Sequence, residues 1–363
     1  MALTLHNNIV SYGIYSFGFC DNITKFTINS KVTNLPDSVF YGCHNLNPVV
    51  IHNNVRSIDS EAFADCTSLI NFIIPPKVTE ISPMVFAFCT KLISIKIHTG
   101  VTSIGRSAFY DCRSLPNFTI PPKVTAISDS VFGSCRSLSS IEIHDDVTSI
   151  GASAFYDCRS LPNFTIPPKV TVISKAVFDC CSTLSSIKIH DDVTSFGNHV
   201  FNKCVSLPNF TIPPKVTNIS ESLFSECASL SSINIHDEVI SIGKSAFRCC
   251  TSLLSFKIPP KVDVIQEYML YQCTNLLSIE IVNDVTSVGI KAFGNRSSLN
   301  FVFYRGSVVP THKSNAFYMS RKVIVVYVTN KYNNSKFCEK PTKLLPTAAF
   351  SVSSIFTESN FFT

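Results

Sequence analysis

Cysteine is the residue type whose number and spacing could do chemistry in this chain. The sequence contains 15 cysteines, and twelve of them recur every 23 residues at positions 20, 43, 66, 89, 112, 135, 158, 181, 204, 227, 250 and 273. Neighbouring thiols of such a ladder could form disulfides, but side chains in register point the same way, which would strain each bridge. We therefore expect buried, reduced thiols that act as small apolar side chains, with disulfides as the alternative.

A second candidate for chemistry is a histidine followed by two acidic residues. The triplet His144-Asp145-Asp146 is repeated at His190-Asp191-Asp192 and at His236-Asp237-Glu238. Two carboxylates and an imidazole could hold a divalent cation, whereas the alternative is a solvated ridge of charge. The triplets are two repeats, or roughly 10 Å, apart, so their imidazoles cannot share an ion. We favour the ridge and predict no metal and no cofactor.

Phenylalanine shows which elements must carry these side chains. Phe recurs every 23 residues from Phe17 to Phe247, with Leu270 and Phe293 in the last two positions. A fixed period of this length predicts a repeat solenoid, in which each coil contacts only its neighbours. No Gly-rich phosphate loop, zinc-protease motif or serine-hydrolase motif interrupts the repeat, so we expect no enzyme activity.

Each repeat contains one recognisable strand. Leu115, Phe118 and Ile120 are apolar and alternate with polar residues, which is typical of a strand with one buried face. Pro121-Pro122 ends that strand, and Val131-Phe132 closes the coil in a short turn or 3₁₀ segment. Adjacent strands are expected to pair in parallel, about 4.8 Å apart.

A double period of 46 residues runs above the single one. Repeats that contain Pro-Pro-Lys-Val alternate with repeats that begin at His52, His98, His144, His190 and His236. One column consequently alternates in charge as Lys123, Asp146, Lys169, Asp192, Lys215, Glu238, Lys261 and Asp284. Neighbouring unlike charges avoid the repulsion that like charges would have at strand spacing.

The repeated motif, Cys-x-x-Leu-x-x-Phe-x-Ile-Pro followed by Val-x-x-Ile-x-x-x-Val-Phe, resembles the BspA-like, Treponema-type leucine-rich repeats. The match covers residues 3–304. The resemblance implies a β-rich, right-handed leucine-rich-repeat superhelix with a parallel sheet on its concave side and 13–14 coils of 23 residues. It also implies surface adhesion or protein binding, as in bacteria and parasitic protists.

Three regions follow from the repeat. We assign residues 3–304 to the solenoid, 305–345 to a C-terminal cap and 346–363 to a loose tail. Beyond Tyr304 the register slips by one, because Phe317 stands where residue 316 is due, and Lys322–Val328 reads as a last strand. The array begins almost at Met1, which predicts an open N-terminal sheet edge.

Composition limits the partners and the location. The net charge is +5 without a basic run, which argues against nucleic acid as the main partner. No secretory signal and no run of 18 or more apolar residues is recognisable, so we expect no membrane insertion. The chain is then either cytoplasmic or brought to a surface, or secreted, by a non-classical route.

The outward positions of the strands are the predicted binding residues. They are Asn71, Ile73, Lys96, Asn117, Thr119, Glu142, Asn163, Thr165, Lys188, Asn209, Thr211, Asn234, Lys257 and Glu280. The expected function is a non-enzymatic scaffold that binds a protein or a glycan through this concave sheet. Two alternatives stay open: a merely solvated sheet face, and a structural rod that self-associates through its open N-terminal edge.

Overall fold

The computed structural model describes residues 8–295, 298–312, 315–320 and 325–345, which contain strands and turns but no helix. The predicted tail, residues 3–7 of the predicted array and residues 322–324 of the predicted last strand lie outside this range. The chain is a β-solenoid of about 13 coils with about 23 residues per turn. It forms two compact units, Met1–Val193 and Thr194–Thr363.

The strands of the first unit form two columns, the second of which the sequence did not predict. Strands of the first column, which we call the longer strands, have three residues except for the first two of them, which have two residues each. The longer strands are β1 (Phe26–Thr27), β3 (Val49–Val50), β5 (Asn71–Ile73), β7 (Ser94–Lys96), β9 (Asn117–Thr119), β11 (Ser140–Glu142), β13 (Asn163–Thr165) and β15 (Ser186–Lys188). The short ones are β2 (Asn34–Leu35), β4 (Ser57–Ile58), β6 (Glu80–Ile81), β8 (Ser103–Ile104), β10 (Ala126–Ile127), β12 (Ser149–Ile150) and β14 (Val172–Ile173).

The second unit repeats this pattern and then departs from it. Its regular strands are β16 (Ser195–Phe196), β17 (Asn209–Thr211), β18 (Asn218–Ile219), β19 (Ser232–Asn234), β20 (Ser241–Ile242), β21 (Ser255–Ile258), β22 (Val264–Ile265), β23 (Ser278–Ile281) and β24 (Ser287–Val288). The strands that follow are β25 (Phe301–Tyr304), β26 (Thr311–His312), β27 (Val326–Val328), β28 (Lys336–Phe337) and β29 (Lys340–Leu344).

The core of each unit is a column of stacked phenylalanine rings. Phe109, Phe132 and Phe155 are fully buried. Successive rings in this stretch lie 5.8 and 5.7 Å apart with interplanar angles of 5° and 9°. The strand residue Phe118 points inward and packs edge-on against Phe132 at 4.7 Å. Its neighbours Asn117 and Thr119 are exposed, which confirms the predicted inward and outward faces.

The Phe residues lie in a turn whose backbone joins successive coils within each unit. In one coil the N–H groups of Ser107, Phe109 and Asp111 donate to carbonyls of the following coil at 2.9, 3.0 and 2.7 Å. Two residues per turn, here Ser107 (φ 54°) and Asp111 (φ 60°), have left-handed backbone. The segment is therefore a left-handed turn, and not the 3₁₀ segment that the sequence left open.

The cysteine ladder has a role in this turn beyond packing. All 15 cysteines are free thiols. The buried Cys135 Sγ donates to the carbonyl of Phe109 at 3.1 Å, and Cys158 Sγ donates to that of Phe132 at 3.2 Å. The same contact recurs along the ladder, always over 26 residues. Most thiols of the ladder thus donate to a carbonyl of the preceding coil.

Strand pairing departs from the expected continuous sheet. Within each unit, the described longer strands up to β19 pair in parallel two by two, as β1 with β3, β5 with β7, β9 with β11, β13 with β15, and β17 with β19. The strand of a histidine-led coil therefore pairs with the strand of the coil before it and not with that of the coil after it. We call each such couple a coil pair. The double period is a feature of the backbone as well as of the charges.

Two residue types produce this alternation on the short strands. Within a coil pair the N–H of Gly151 donates directly to the carbonyl of Ile127 at 2.7 Å. A Cβ on Gly151 would lie only 2.5 Å from the backbone nitrogen of Asp129. In the first coil pair Asp59 makes the equivalent bond to the carbonyl of Leu35 at 2.8 Å. Between coil pairs the hydroxyl of Ser174 donates instead to the carbonyl of Ile150 at 2.7 Å, which keeps the two backbones further apart.

At the C-terminal side the sheet becomes continuous. Six strands run in the order β21-β23-β25-β27-β29-β28, with β28 antiparallel to β29. Phe303 pairs with Tyr327 and Ser287 with Thr311, which confirms the predicted one-residue slip. Phe303, at an outward position of its strand, is buried, and its ring lies 5.7 Å from that of Tyr327.

No helix long and apolar enough to cross a bilayer occurs within the part of the chain that the structure describes.

Candidate functional site

The outward side chains of the longer strands form one surface in each unit, which we call the sheet face. Thirteen of the fourteen predicted binding residues are exposed there: Asn71, Ile73, Lys96, Asn117, Thr119, Glu142, Asn163, Thr165 and Lys188 in the first unit, and Asn209, Thr211, Asn234 and Lys257 in the second. Their side chains are outward because each flanks a buried Phe or a partly buried Ile of the same strand. Ligand binding by these residues stays a prediction.

Glu280 differs from the other thirteen. It is only partly exposed, and the Arg305 guanidinium contacts its carboxylate at 2.7 Å. The adjacent outward position, Ser278, is buried. The residues that follow Tyr304 therefore take up this end of the sheet face, and Glu280 has a structural partner already.

Paired strands link their outward side chains. Asn117, Phe118 and Thr119 lie opposite Ser140, Ile141 and Glu142. The Thr119 hydroxyl donates to the Glu142 carboxylate at 3.0 Å. Inside a coil pair the polar side chains thus contact one another, and the surface between them is closed.

A cleft opens on the sheet face where pairing is absent between β7 and β9. It has a volume of about 610 Å³ and is lined by Ile93–Ile97 and Asn117–Thr119. Three of the predicted binding residues, Lys96, Asn117 and Thr119, lie on its walls. The cleft belongs entirely to the first unit.

The second unit has a cleft at the equivalent place, between β19 and β21. Its volume is about 550 Å³ and its lining residues are Ile233–Asp237 and Ser255–Lys257. Asn234 and Lys257 are the predicted binding residues here. Because this cleft recurs at the same position of the repeat, it is a product of the 46-residue period and not of one local irregularity.

Backbone groups add to what the first cleft offers. Ile74 donates its N–H to the carbonyl of Lys96, and Ile120 donates to Glu142. Successive residues of a strand turn their polar groups to opposite sides, so Ile95 and Thr119 turn theirs into the cleft. Within the described residues no hydrogen bond joins these two strands. Donors and acceptors therefore line it without a partner strand.

The histidine triplets take part in structural contacts between neighbouring coils. His144 Nε2 contacts the carbonyl of Pro121 at 3.1 Å, and His190 Nε2 contacts that of Pro167 at 3.1 Å, so the rings join neighbouring coils. The Lys169 ammonium lies 2.6 Å from Asp146 and, by that bond, lowers the pKa of its carboxyl. No group of three metal-ligating side chains occurs among the residues described.

Sequence reasoning missed two features of this surface. One is the lapse in pairing, for which the signal was present as Gly151 and Ser128 at the same position of alternate repeats. The other is Pro116, which has no N–H to donate to the preceding coil and so favours an unpaired edge. The apolar side chains of Val50 and Ile73 are exposed at outward positions of β3 and β5.

The parallel coils with one outward sheet face define a leucine-rich-repeat β-solenoid. The model of the BspA-type leucine-rich-repeat region matches residues 2–115, 79–207 and 197–324. The chain belongs to the BspA-type leucine-rich-repeat family. A search of curated proteins finds no match to the sequence.

Solved structures agree on the fold. A leucine-rich-repeat protein of Bacteroides ovatus is 23% identical, with a TM-score of 0.69 over 93% of this chain and 88% of that one. A leucine-rich cell surface protein of Faecalibacterium prausnitzii is 25% identical, with a TM-score of 0.63 over 90% and 92%. The pneumococcal vaccine antigen PcpA is 16% identical, with a TM-score of 0.58 over 93% and 83%.

Proposed function

We propose that this protein is a non-enzymatic scaffold that binds a protein or a glycan on its sheet face, in an adhesive role. The observation that supports this proposal most directly is the recurring cleft. It brings exposed polar side chains that the sequence singled out together with backbone groups that have no partner strand.

The chemistry of the cleft suits hydroxyl-rich or peptide ligands. Asn117 and Thr119 offer amide and hydroxyl groups, Lys96 offers an ammonium, and the strand edges offer N–H and C=O groups. A main-chain edge is also how extended peptides add to a sheet. The similarity to a cell surface protein of Faecalibacterium prausnitzii is consistent with this role at a surface.

A charge-reversal variant tests the sheet face. We expect Lys96→Glu, Lys188→Glu and Lys257→Glu together to abolish binding to immobilised glycans or to a purified partner protein found by proteomics. The matched control carries Lys77→Glu, Lys123→Glu and Lys169→Glu, which change the same charge outside the sheet face. The proposal is wrong if the sheet-face variant binds as strongly as the parent protein.

A second pair of variants separates the cleft from the rest of the sheet face. Asn117→Tyr places a bulky ring at the wall of the first cleft, whereas Ser140→Tyr places it on the paired strand of the same coil pair. We expect only the first substitution to weaken binding. Equal losses would mean that the whole face binds and that the cleft has no special part.

Self-association is a second candidate, and an exposed apolar cluster favours it. Val10, Ile14 and Phe19 are 62, 66 and 63% exposed. Such patches often mark contacts between proteins. If these residues hold a second copy, sedimentation velocity should show dimers at high concentration, and Ile14→Ser with Phe19→Ser should remove them. A monomer at all concentrations excludes this candidate, and Val172→Ser is the matched control at an equally exposed site.

A further inference from the structure

Three arginines occupy one position of three successive coils on the turn side of the first unit. They are Arg113, Arg136 and Arg159, and we call them the arginine row. Each follows directly after a cysteine of the ladder and lies four residues before the longer strand of its coil. Lys91, exposed in the preceding coil, adds a fourth cation one position further along the chain.

Buried carboxylates hold the arginines in place. Arg113 Nε lies 2.8 Å from Asp111 Oδ1. Arg136 and Arg159 share one carboxylate, because their Nε atoms lie 2.9 and 2.6 Å from the two oxygens of Asp157. The Asp157 side chain is only 5% exposed. A guanidinium anchored in this way loses little further freedom when it binds a ligand.

The opposite edge of each guanidinium is open. The arginine side chains are 51, 41 and 55% exposed. Only their Nε atoms make ion pairs within the described part of the chain, which leaves the paired Nη groups for a ligand. The three arginines contact only two carboxylates, those of Asp111 and Asp157. Lys91 adds further positive charge, so the arginine row attracts anions.

The spacing of the row sets the kind of anion. Arg136 and Arg159 are held together at Asp157, whereas Arg113 is held at Asp111, two coils earlier. A ligand that engages all three must therefore present several oxyanions along one chain. The Nη edge of arginine matches a tetrahedral oxyanion with two parallel hydrogen bonds.

We propose that the arginine row binds the sulfate groups of a sulfated polysaccharide, at a site separate from the sheet face. Nucleic acid fits less well, because non-specific binding to it relies on many cations along an extended basic surface. The arginine row and Lys91 together supply only four cations, in a chain whose net charge is +5. A neutral glycan would leave the guanidinium edges without counter-charge.

The test uses the full chain and immobilised dextran sulfate, with unsulfated dextran and single-stranded DNA of similar length as comparison surfaces. We expect binding to dextran sulfate that weakens as salt rises, no binding to dextran, and clearly weaker binding to DNA. Binding to DNA as strong as to dextran sulfate, or absence of binding to dextran sulfate at low salt, would overturn the proposal.

Two variants place the binding on the row. The triple substitution Arg113→Gln, Arg136→Gln and Arg159→Gln should weaken binding roughly tenfold or more through lost charged hydrogen bonds. Because it strands the buried carboxylates, a second variant adds Asp111→Asn and Asp157→Asn to preserve the fold, and it should lose binding equally.

A third variant checks that position matters and not total charge. Lys77→Gln, Lys123→Gln and Lys169→Gln remove the same charge from another side of the first unit and should leave the affinity within about twofold. An equal loss in this variant would show general electrostatic attraction and would overturn the assignment to the row. Binding by the sheet-face variants should be unchanged on dextran sulfate.

Discussion

Left-handed turn residues are the feature of this chain that departs most from ordinary residue preferences. Asp111, Ser130, Ser153 and Asp157 have φ between 52 and 60°, a region that costs non-glycine residues about 1 kcal/mol or more. Some of these side chains gain an interaction that offsets the cost, as Asp157 does by holding two arginines. Ser153 gains none that is comparable.

Replacing Ser153 by glycine should therefore stabilise the protein. Ser153→Gly removes the Cβ from a residue with φ of 55°, and we expect the free energy of unfolding to rise by roughly 0.5–1 kcal/mol in urea titrations. The matched control is Ser149→Gly, in β12, which should lower it by a similar amount. The explanation is wrong if both substitutions destabilise alike.

The reactivity of the thiols tests whether the cysteines of the ladder are buried and reduced. Burial raises the pKa of the Cys112 and Cys158 thiols well above the ordinary value, and that of Cys43 to about 11. Because the thiolate is the reactive form, native protein at pH 8 should react with a thiol reagent only at a few sites, led by the half-buried Cys20, Cys180 and Cys249.

After denaturation without a reductant, close to all 15 thiols should react. Six or more disulfides found by mass spectrometry would contradict the free-thiol ladder, and would point to folding in an oxidising compartment.

Among the structural elements, a glycine lies at the contact between the two coils in four of the coil pairs. Gly105, Gly151, Gly243 and Gly289 each lie so close to the preceding coil that a Cβ would fall about 2.5 Å from a backbone nitrogen. Between coil pairs, Ser82 and Ser174 fill the corresponding space with a hydroxyl that donates to the preceding coil at 2.6 and 2.7 Å.

Gly151→Ala should consequently push two paired coils apart. Backbone cannot move as a side chain tip can, so we expect a loss of roughly 1–3 kcal/mol in the free energy of unfolding. The control is Gly13→Ala, since nothing lies within 4 Å of a Cβ at that position. Equal and small effects at the two sites would show that the coils of a pair are not in such close contact.

Hydrogen exchange should distinguish the paired edge of a strand from the open one. The N–H groups of Phe109 and Phe132 are bonded to the next coil, and that of Ile120 to its paired strand, so we expect slow exchange. The N–H of Thr119 turns into the cleft and should exchange faster although it lies in the same strand. Slow exchange at Thr119 would mean that the sheet is continuous after all.

The sequence predicted the strands and the buried residues better than it predicted which coils pair with each other. The 23-residue period was sufficient for the strand at Asn117–Thr119, the buried Phe column and the outward placement of Asn117 and Thr119, because each follows from alternation and burial. It could not show left-handed turns at Asp111 or Ser130, since neither is glycine. Nor did the alternation of charge at Lys169 and Asp146 reveal that the backbone pairing also alternates.

On the scale of the whole molecule, we propose that residues 305–345 act as the cap that the sequence suggested. Tyr304 is fully buried, and its ring lies 5.2 and 4.8 Å from those of Tyr332 and Phe337. Strand β27 also occupies the edge of β25. These contacts cover apolar surface and a strand edge that would otherwise be open.

Deletion of residues 305–363 should therefore cause aggregation, seen by light scattering at concentrations at which the parent chain stays monodisperse. Deletion of residues 346–363 alone is the control and should change neither the scattering nor the unfolding midpoint by much. Comparable aggregation in both shortened chains would shift the covering role to the last eighteen residues.

In the first unit, the hydrogen bonds of the turns continue from coil to coil, whereas the strands pair only two by two. This difference has a mechanical consequence for that unit. Resistance to stretching is concentrated along the line of turns, whereas the opposite side can yield at every second coil. A ligand that enters a cleft can widen it by slight bending, without the rupture of a backbone bond. Such bending would let the same stack of coils accommodate ligands of somewhat different thickness.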